Sequence, residues 1–185
     1  MKIKNFMVGL CFLAWLTVPA AKATTMLSFQ IEDMAKLAPI VIIGEVNQVY
    51  SSFNADKTKI HTRAVISPIE ILKGPADLGT VTVKIIGGQV DGKVATLPGA
   101  PKFEVGEKVL VFLEPREDGD GYLTLGFFQG KYTVFKDPKT GRDMLLRDEP
   151  GQAVKLLGGQ GSHKFESARS LDEVRAVIRK LGGAK

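Results

Sequence analysis

Residues 98–115 read Pro98-Gly-Ala-Pro-Lys-Phe-Glu-Val-Gly-Glu-Lys-Val-Leu-Val-Phe-Leu-Glu-Pro115. The second half, residues 108–113, is a short run of Val, Leu and Phe closed by Glu114-Pro115, the composition of a well-buried β-strand. Pro98, Gly99, Pro101 and Gly106 punctuate the first half. Such spacing rules out a helix interior and predicts a shaped loop. The strand is expected at the centre of a small β-barrel, with the loop as part of its rim.

The flanking sequence carries the same signals in both directions. Residues 40–50 open with four β-branched residues, Ile40 to Ile43, and continue through Val46 and Val49, which favours a strand. Gly44 inside it predicts a bend or bulge. Residues 59–72 alternate in part, with Ile60, Thr62, Ala64 and Ile66 on one side, until Pro68 confines the segment to an edge or a bulge. Residues 80–86 alternate cleanly and are broken by Gly87-Gly88. Asp91-Gly92 marks a hairpin turn within residues 90–97. Residues 116–121 are a charged turn, and residues 122–129 and 131–135 read as strands on either side of Gly130. A last short strand is expected at residues 144–146. The total, about seven short strands of which 5–7 close on themselves, predicts an OB-like barrel, closed or partly open.

A helix is expected at each end. Ser28 is placed to N-cap a short one that runs to Leu37 and stops at Pro39. Ser170-Leu-Asp-Glu173 is a capping box, and Leu171, Val174, Val177, Ile178 and Leu181 form the stripe of a C-terminal amphipathic helix over residues 170–183. Between barrel (24–150) and helix, residues 151–169 are rich in Gly, Gln and Ser and read as a flexible connection.

The first 23 residues differ from the rest. Lys2 and Lys4 precede an apolar run over residues 6–18, followed by Ala21-Lys22-Ala23. This is the layout of a cleaved secretory signal. The run is short for a membrane span, which needs about 20 residues; a retained N-terminal anchor is the competing reading. Cleavage after Ala23 would remove Lys2, Lys4 and Lys22 and no acid, lowering the formal net charge from +5 to +2. A nearly neutral exported chain lacks the concentrated basic face that nucleic acid requires, so no nucleic-acid partner is expected. The chain's one cysteine, Cys11, lies in this segment. The remainder therefore has no disulfide, thiol nucleophile or cysteine-based metal site, and its location is expected to be periplasmic or secreted.

Five pieces of sequence then form a pattern: A-x-x-x-I-x-G-x-V at residues 38–46, I-x-I-L-K-G at 69–74, Gly87-Gly88, P-G-x-P-x-F-x-x-G-E at 98–107 and G-x-x-Q-G-K-Y at 126–132. Over residues 37–134 this order resembles a family of exported bacterial β-barrel proteins that are mostly uncharacterised. The arrangement of strand, Lys-Gly-Pro turn and strand also looks like the netrin-like domain of metalloproteinase inhibitors, an OB-type barrel. That resemblance implies chelation of a protease zinc by an amino-terminal cysteine. Here a cleaved chain would begin Thr24-Thr25 and would have no cysteine, so the mechanism does not carry over.

Candidate chemistry is sparse. His61 and His163 are the two histidines, and their separation gives no zinc-ligand spacing. There is no G-x-S-x-G elbow. Residues 158–161, Gly-Gly-Gln-Gly, lack the strand and helix of a phosphate loop. Glu117, Asp118 and Asp120 lie close together, but no later glutamate stands in register for calcium. An enzyme would require carboxylates such as Glu45, Glu70 and Glu104 to converge. No catalytic residue, metal or cofactor is assigned. Barrels carry binding loops at strand ends, so the candidate rim comprises Gly87, Gly88, Pro98, Pro101, Phe103, Phe128 and Gln129. Strand alternation would put Phe127 and Phe128 on opposite faces. The expectation is an exported, non-enzymatic module that binds a protein or envelope ligand. The alternative is an inhibitor or accessory domain of an exported hydrolase or protease.

Overall fold

Strand β7 (Lys108–Pro115) pairs antiparallel with three others: β2 (Ile40–Phe53), β8 (Tyr122–Thr124) and β9 (Lys131–Lys136). The computed structural model describes residues 24–148, 154–157 and 168–182. The expected leader, most of the 151–169 connection with its Gly158–Gly161 run and His163, and Gly183 lie outside the described residues. The other elements are β1 (Thr24–Leu27), α1 (Ile31–Leu37), β3 (Ile60–Lys73), β4 (Val81–Ile86), β5 (Gly88–Val90), β6 (Lys93–Ala95), a 3-10 helix η1 (Phe127–Gly130), β10 (Asp143–Arg147), β11 (Val154–Leu157), β12 (Arg169–Ser170) and α2 (Leu171–Gly182).

Five strands close the barrel in the order β7-β2-β3-β4-β8, and β8 returns to β7. The closing contact between β4 and β8 is parallel and is made by Val83 and Tyr122. A three-strand meander, a parallel closure and an antiparallel return make an OB-like arrangement. Beyond β7 the sheet continues through β9, β10 and β12. Among the described residues no helix is long and apolar enough to cross a membrane.

The uninterrupted apolar runs of β2 and β7 follow from burial on both faces. Ile40, Ile42, Val109, Val111 and Leu113 point into the barrel, where they meet Ile66, Val81 and Val83. The intervening Val41, Ile43, Leu110 and Phe112 face a second core built with α1 and α2. There Met34 of α1 and Leu171, Val174 and Ile178 of α2 are fully buried.

Gly44 occupies the predicted irregularity. The β2–β3 register shifts between Ile43 and Gly44, and Gly44 pairs with Pro68. A Cβ at Gly44 would lie 2.6 Å from Ile66 Cγ2 and 2.7 Å from the Ser67 carbonyl oxygen. Pro68 is tolerated because β4 pairs only with residues 61–66 of β3, so its missing N–H is not required there. The Asp91-Gly92 turn joins β5 to β6 with φ of 49° and 73°, the left-handed pair that a two-residue hairpin demands.

Three local expectations are corrected. Helix α1 starts at Ile31 with Gln30 at its N-cap, and Ser28 instead donates its backbone N–H to Leu157. The 122–129 strand ends at Thr124: Gly126 adopts φ 67° and the chain turns into η1. Val154–Leu157, expected within the connection, forms β11 and pairs in parallel with β1.

Candidate functional site

The segment from Gly87 to Glu107 crosses one end of the barrel. It leaves β4 through Gly87 and Gly88, at φ of 102° and 136°. A side chain at Gly87 would strike the Ala95 carbonyl at 2.6 Å, and one at Gly88 would strike the hydroxyls of Thr62 and Ser51. Those hydroxyls bond to each other at 2.8 Å, and Thr62 Oγ1 donates to the Gly87 carbonyl. The glycines thus let the β5–β6 hairpin fold back over the barrel wall.

The return limb is pinned at both ends. Phe128 N–H donates to the Gly99 carbonyl at 2.9 Å, and Gly106 and Glu107 exchange backbone hydrogen bonds with Val46. Between these points Phe103 drops into the barrel core and is only 8% exposed. The proline and glycine pattern of residues 98–107 therefore builds a cap held over the barrel mouth.

A recess lies on each side of this cap. On one side is a groove of about 460 Å³, which runs into an apolar dip of about 140 Å³. Leu97, Ala100 and Pro101 line both. Ile86, Val94 and Phe127 stand around them, 51%, 64% and 43% exposed. Phe127 sits at φ 62°, a conformation that strains an aromatic residue.

On the other side is a cleft of about 720 Å³ between the cap and strands β9 and β10. Its floor carries Lys131, which is 3% exposed. The Lys131 ammonium donates to Glu107 Oε1 at 2.7 Å and to Asp148 Oδ2 at 3.1 Å, and lies 5.4 Å from the centre of the Phe103 ring. The Thr133 hydroxyl donates to the same Glu107 oxygen. Burial holds the Asp148 carboxyl above its ordinary range, even though Lys131 pulls it down. Leu97, Pro98, Phe128 and Leu146 supply apolar walls.

The predicted rim residues divide accordingly. Gly87, Gly88, Pro101 and Phe103 border the groove, while Pro98 and Phe128 border the cleft. Gln129 borders neither: it is 1% exposed, its Oε1 accepts from Phe29 N–H, and its Nε2 donates to the Leu27 carbonyl. Phe128 and Gln129 are interior because η1 turns them inward, where a strand would have alternated them; the exposed aromatic is Phe127. Sequence reasoning missed the Lys131–Glu107–Asp148 group. Glu107 ends the motif P-G-x-P-x-F-x-x-G-E and Lys131 is the last residue but one of G-x-x-Q-G-K-Y, but nothing in their spacing shows that they meet.

The remaining candidates are occupied elsewhere. Asp120 accepts from Arg63 at 3.1 Å and Lys84 at 2.6 Å, and Asp118 binds Arg116. Burial, followed by the charges of Lys84, Arg63, Arg116 and Lys59, lowers the His61 pKa. Glu70 on β3 is held by Arg175 and Arg179 of α2, Glu45 is exposed on β2, and Glu104 lines the cleft. These three carboxylates do not converge, and the described residues contain no group of three metal-ligating side chains. Compared with known proteins, the chain matches no family model and no curated protein.

Proposed function

We propose that the protein is an exported, non-enzymatic binding module that holds a protein or envelope ligand against the rim of its barrel. The observation that carries this reading is Phe127: a large aromatic side chain kept 43% exposed on left-handed backbone, lining the same dip as the exposed Ile86. Strain of this kind persists where the surroundings impose it and clusters at functional positions. Grouped exposed apolar side chains mark contact surfaces. The groove below them is lined by the stiff Leu97–Pro101 segment, which has little conformational freedom left to lose on binding.

The second reading makes the partner an exported hydrolase that the module inhibits or assists. A closed five-strand barrel with two helices suits the netrin-like layout noted in the sequence. With the single cysteine at position 11, inhibition would have to come from the cap and its neighbouring aromatic blocking a cleft.

The test is a pull-down of residues 24–185 from the organism's own exported fraction, read by mass spectrometry. One stoichiometric partner, lost with Phe127→Ala, is the expected result. A folded protein that recovers nothing, or a partner indifferent to Phe127, refutes the rim reading. Adding the module to the recovered partner's enzymatic assay separates the second reading from the first. Sequencing the N-terminus of the exported protein should return Thr24.

A further inference from the structure

The last junction of the barrel is closed by a single residue pair. Val83 of β4 meets Tyr122 of β8, and no further register follows. At one end Asp120 braces this junction by bonding both Arg63 and Lys84. At the other end β8 stops at Thr124 and the chain turns away through Gly126 and Phe127, while β4 runs on to Ile86. The two strands therefore part into an open seam. The apolar dip of about 140 Å³ lies in it, with Lys84, Ile85 and Ile86 along one side and Thr124 and Phe127 along the other.

The seam presents backbone as well as side chains. Gly87 N–H donates to the Ile60 carbonyl, so antiparallel alternation turns the peptide groups of Val83 and Ile85 toward β3 and those of Lys84 and Ile86 toward the seam. Past the Val83–Tyr122 pair, the Lys84 carbonyl and the Ile86 N–H and carbonyl have no strand partner among the described residues. Ile86 is 51% exposed, so this edge is open to solvent. The β5–β6 hairpin does not cover it, because Gly88 lies against Ser51 and Thr62, on the β2–β3 side. An uncovered strand edge is a template for another strand. Here the template has an apolar dip beside it, whose 140 Å³ compare with roughly 150 Å³ for a dry cavity that binds one benzene molecule. Recognition of peptides by strand addition has these two parts, main-chain hydrogen bonds for affinity and a pocket for a side chain.

We infer that the seam receives an extended segment of a polypeptide partner, which adds as a strand to the Lys84–Ile86 edge in the place that β8 vacates and seats one Phe or Leu side chain in the dip beside Phe127. This inference rests on the rim reading and names the partner's conformation and its anchor. The segment donates to the Lys84 and Ile86 carbonyls and accepts from Ile86 N–H. The ladder is short, so the anchor side chain supplies most of the affinity.

The experiment is a proton–nitrogen NMR titration of the full chain with the pentapeptide Nα-acetyl-Thr-Thr-Phe-Thr-Thr-amide, with its analogue bearing alanine in place of phenylalanine, and with two versions N-methylated at neighbouring peptide bonds. The phenylalanine peptide should shift the amides of residues 84–87 and 123–127. It should bind at least about tenfold more tightly than the alanine analogue, the factor that burial of one aromatic side chain supplies. Hydrogen exchange of the Ile86 amide should slow at least about fivefold at saturation, as a hydrogen bond formed at that N–H requires. Neighbouring amides of a strand face opposite sides, so one N-methylated version should lose binding and the other keep it. Shifts around Phe127 with Ile86 exchange unchanged, or equal binding by both N-methylated versions, overturn the added strand and leave the rim reading standing. Absence of peptide binding overturns it too, while capture of a partner that depends on Phe127 decides the rim reading separately.

Discussion

Gln129 and Phe29, 100 residues apart in the chain, are joined by a hydrogen bond of 2.9 Å from the Phe29 backbone N–H to the Gln129 side-chain oxygen. The same side chain donates to the Leu27 carbonyl at 2.9 Å. One buried amide thus fastens the amino-terminal segment to η1. Gln129→Ala removes both bonds, which are partly buried, and is expected to lower stability by about 1–3 kcal/mol, given roughly 0.5–1.5 kcal/mol per intramolecular hydrogen bond. Urea unfolding with an unchanged m-value is the measurement; a loss below about 0.5 kcal/mol would mean that water replaces the amide.

Gly44 and Gly79 make a matched pair. A methyl group on Gly44 runs into Ile66 and the Ser67 carbonyl, whereas one on Gly79 meets nothing within 4 Å. Gly44→Ala should therefore cost about 1–3 kcal/mol, as overpacking does. Gly79→Ala should be neutral or slightly stabilising, because it restricts the unfolded chain. Equal melting temperatures for the two variants would contradict the close approach of β2 and β3.

Asp148 gives a pH signature of unusual sign. Its folded pKa is raised, first by burial, so the folded protein binds this proton more tightly than the unfolded chain. The ionised carboxyl then lowers stability at neutral pH; that loss is relieved as pH falls through the raised value and is gone below the ordinary value of 3.8. Asp143 and Asp120 behave oppositely. Hydrogen bonds from Lys108 and Lys84 hold them low, so the stability they give is present above 3.8 and lost as pH falls through their lowered values. Comparison with Asp148→Asn isolates the first effect: the variant should match or exceed the parent at pH 7, and the two should converge in acid. A variant clearly weaker at pH 7 would show that the Lys131–Asp148 pair is net stabilising.

Phe127→Gly separates strain from function. Glycine adopts φ 62° freely, while a left-handed aromatic costs roughly 1–2 kcal/mol. Stability should hold or rise by up to about 1 kcal/mol after the flexibility of glycine is offset. Partner capture at the rim should fall at the same time. A variant that is markedly destabilised would assign Phe127 to packing.

Much of the fold can be read from local pattern, and the exceptions share a cause. The runs at Ile40–Ile43 and Lys108–Leu113 announce strands because both of their faces are covered, by the barrel core and by the helices. Asp91-Gly92 and the stripe of α2 are equally local signals. The turn into η1 was hidden because Phe127-Phe128-Gln129 has a composition that suits a strand, and only the left-handed pair Gly126-Phe127 redirects it. The pairing of β1 with β11 joins segments about 130 residues apart, with no pattern in either to announce it. The cleft depends on residues 107, 131 and 148, whose meeting is a product of the pairing of β7 with β9 and of β9 with β10. Its chemistry could be listed from the sequence, but its geometry could not.

Strand β7 contributes alternate side chains to two hydrophobic compartments, Val109, Val111 and Leu113 to one and Leu110 and Phe112 to the other. Neither compartment can melt while the other stays ordered, because the wall between them is one polypeptide segment. Barrel and helical layer are thereby bound into one cooperative unit. The backbone amides of residues 109–113 should exchange with solvent only through complete unfolding, at the slowest rate in the chain, and exchange from α2 should report the same opening free energy.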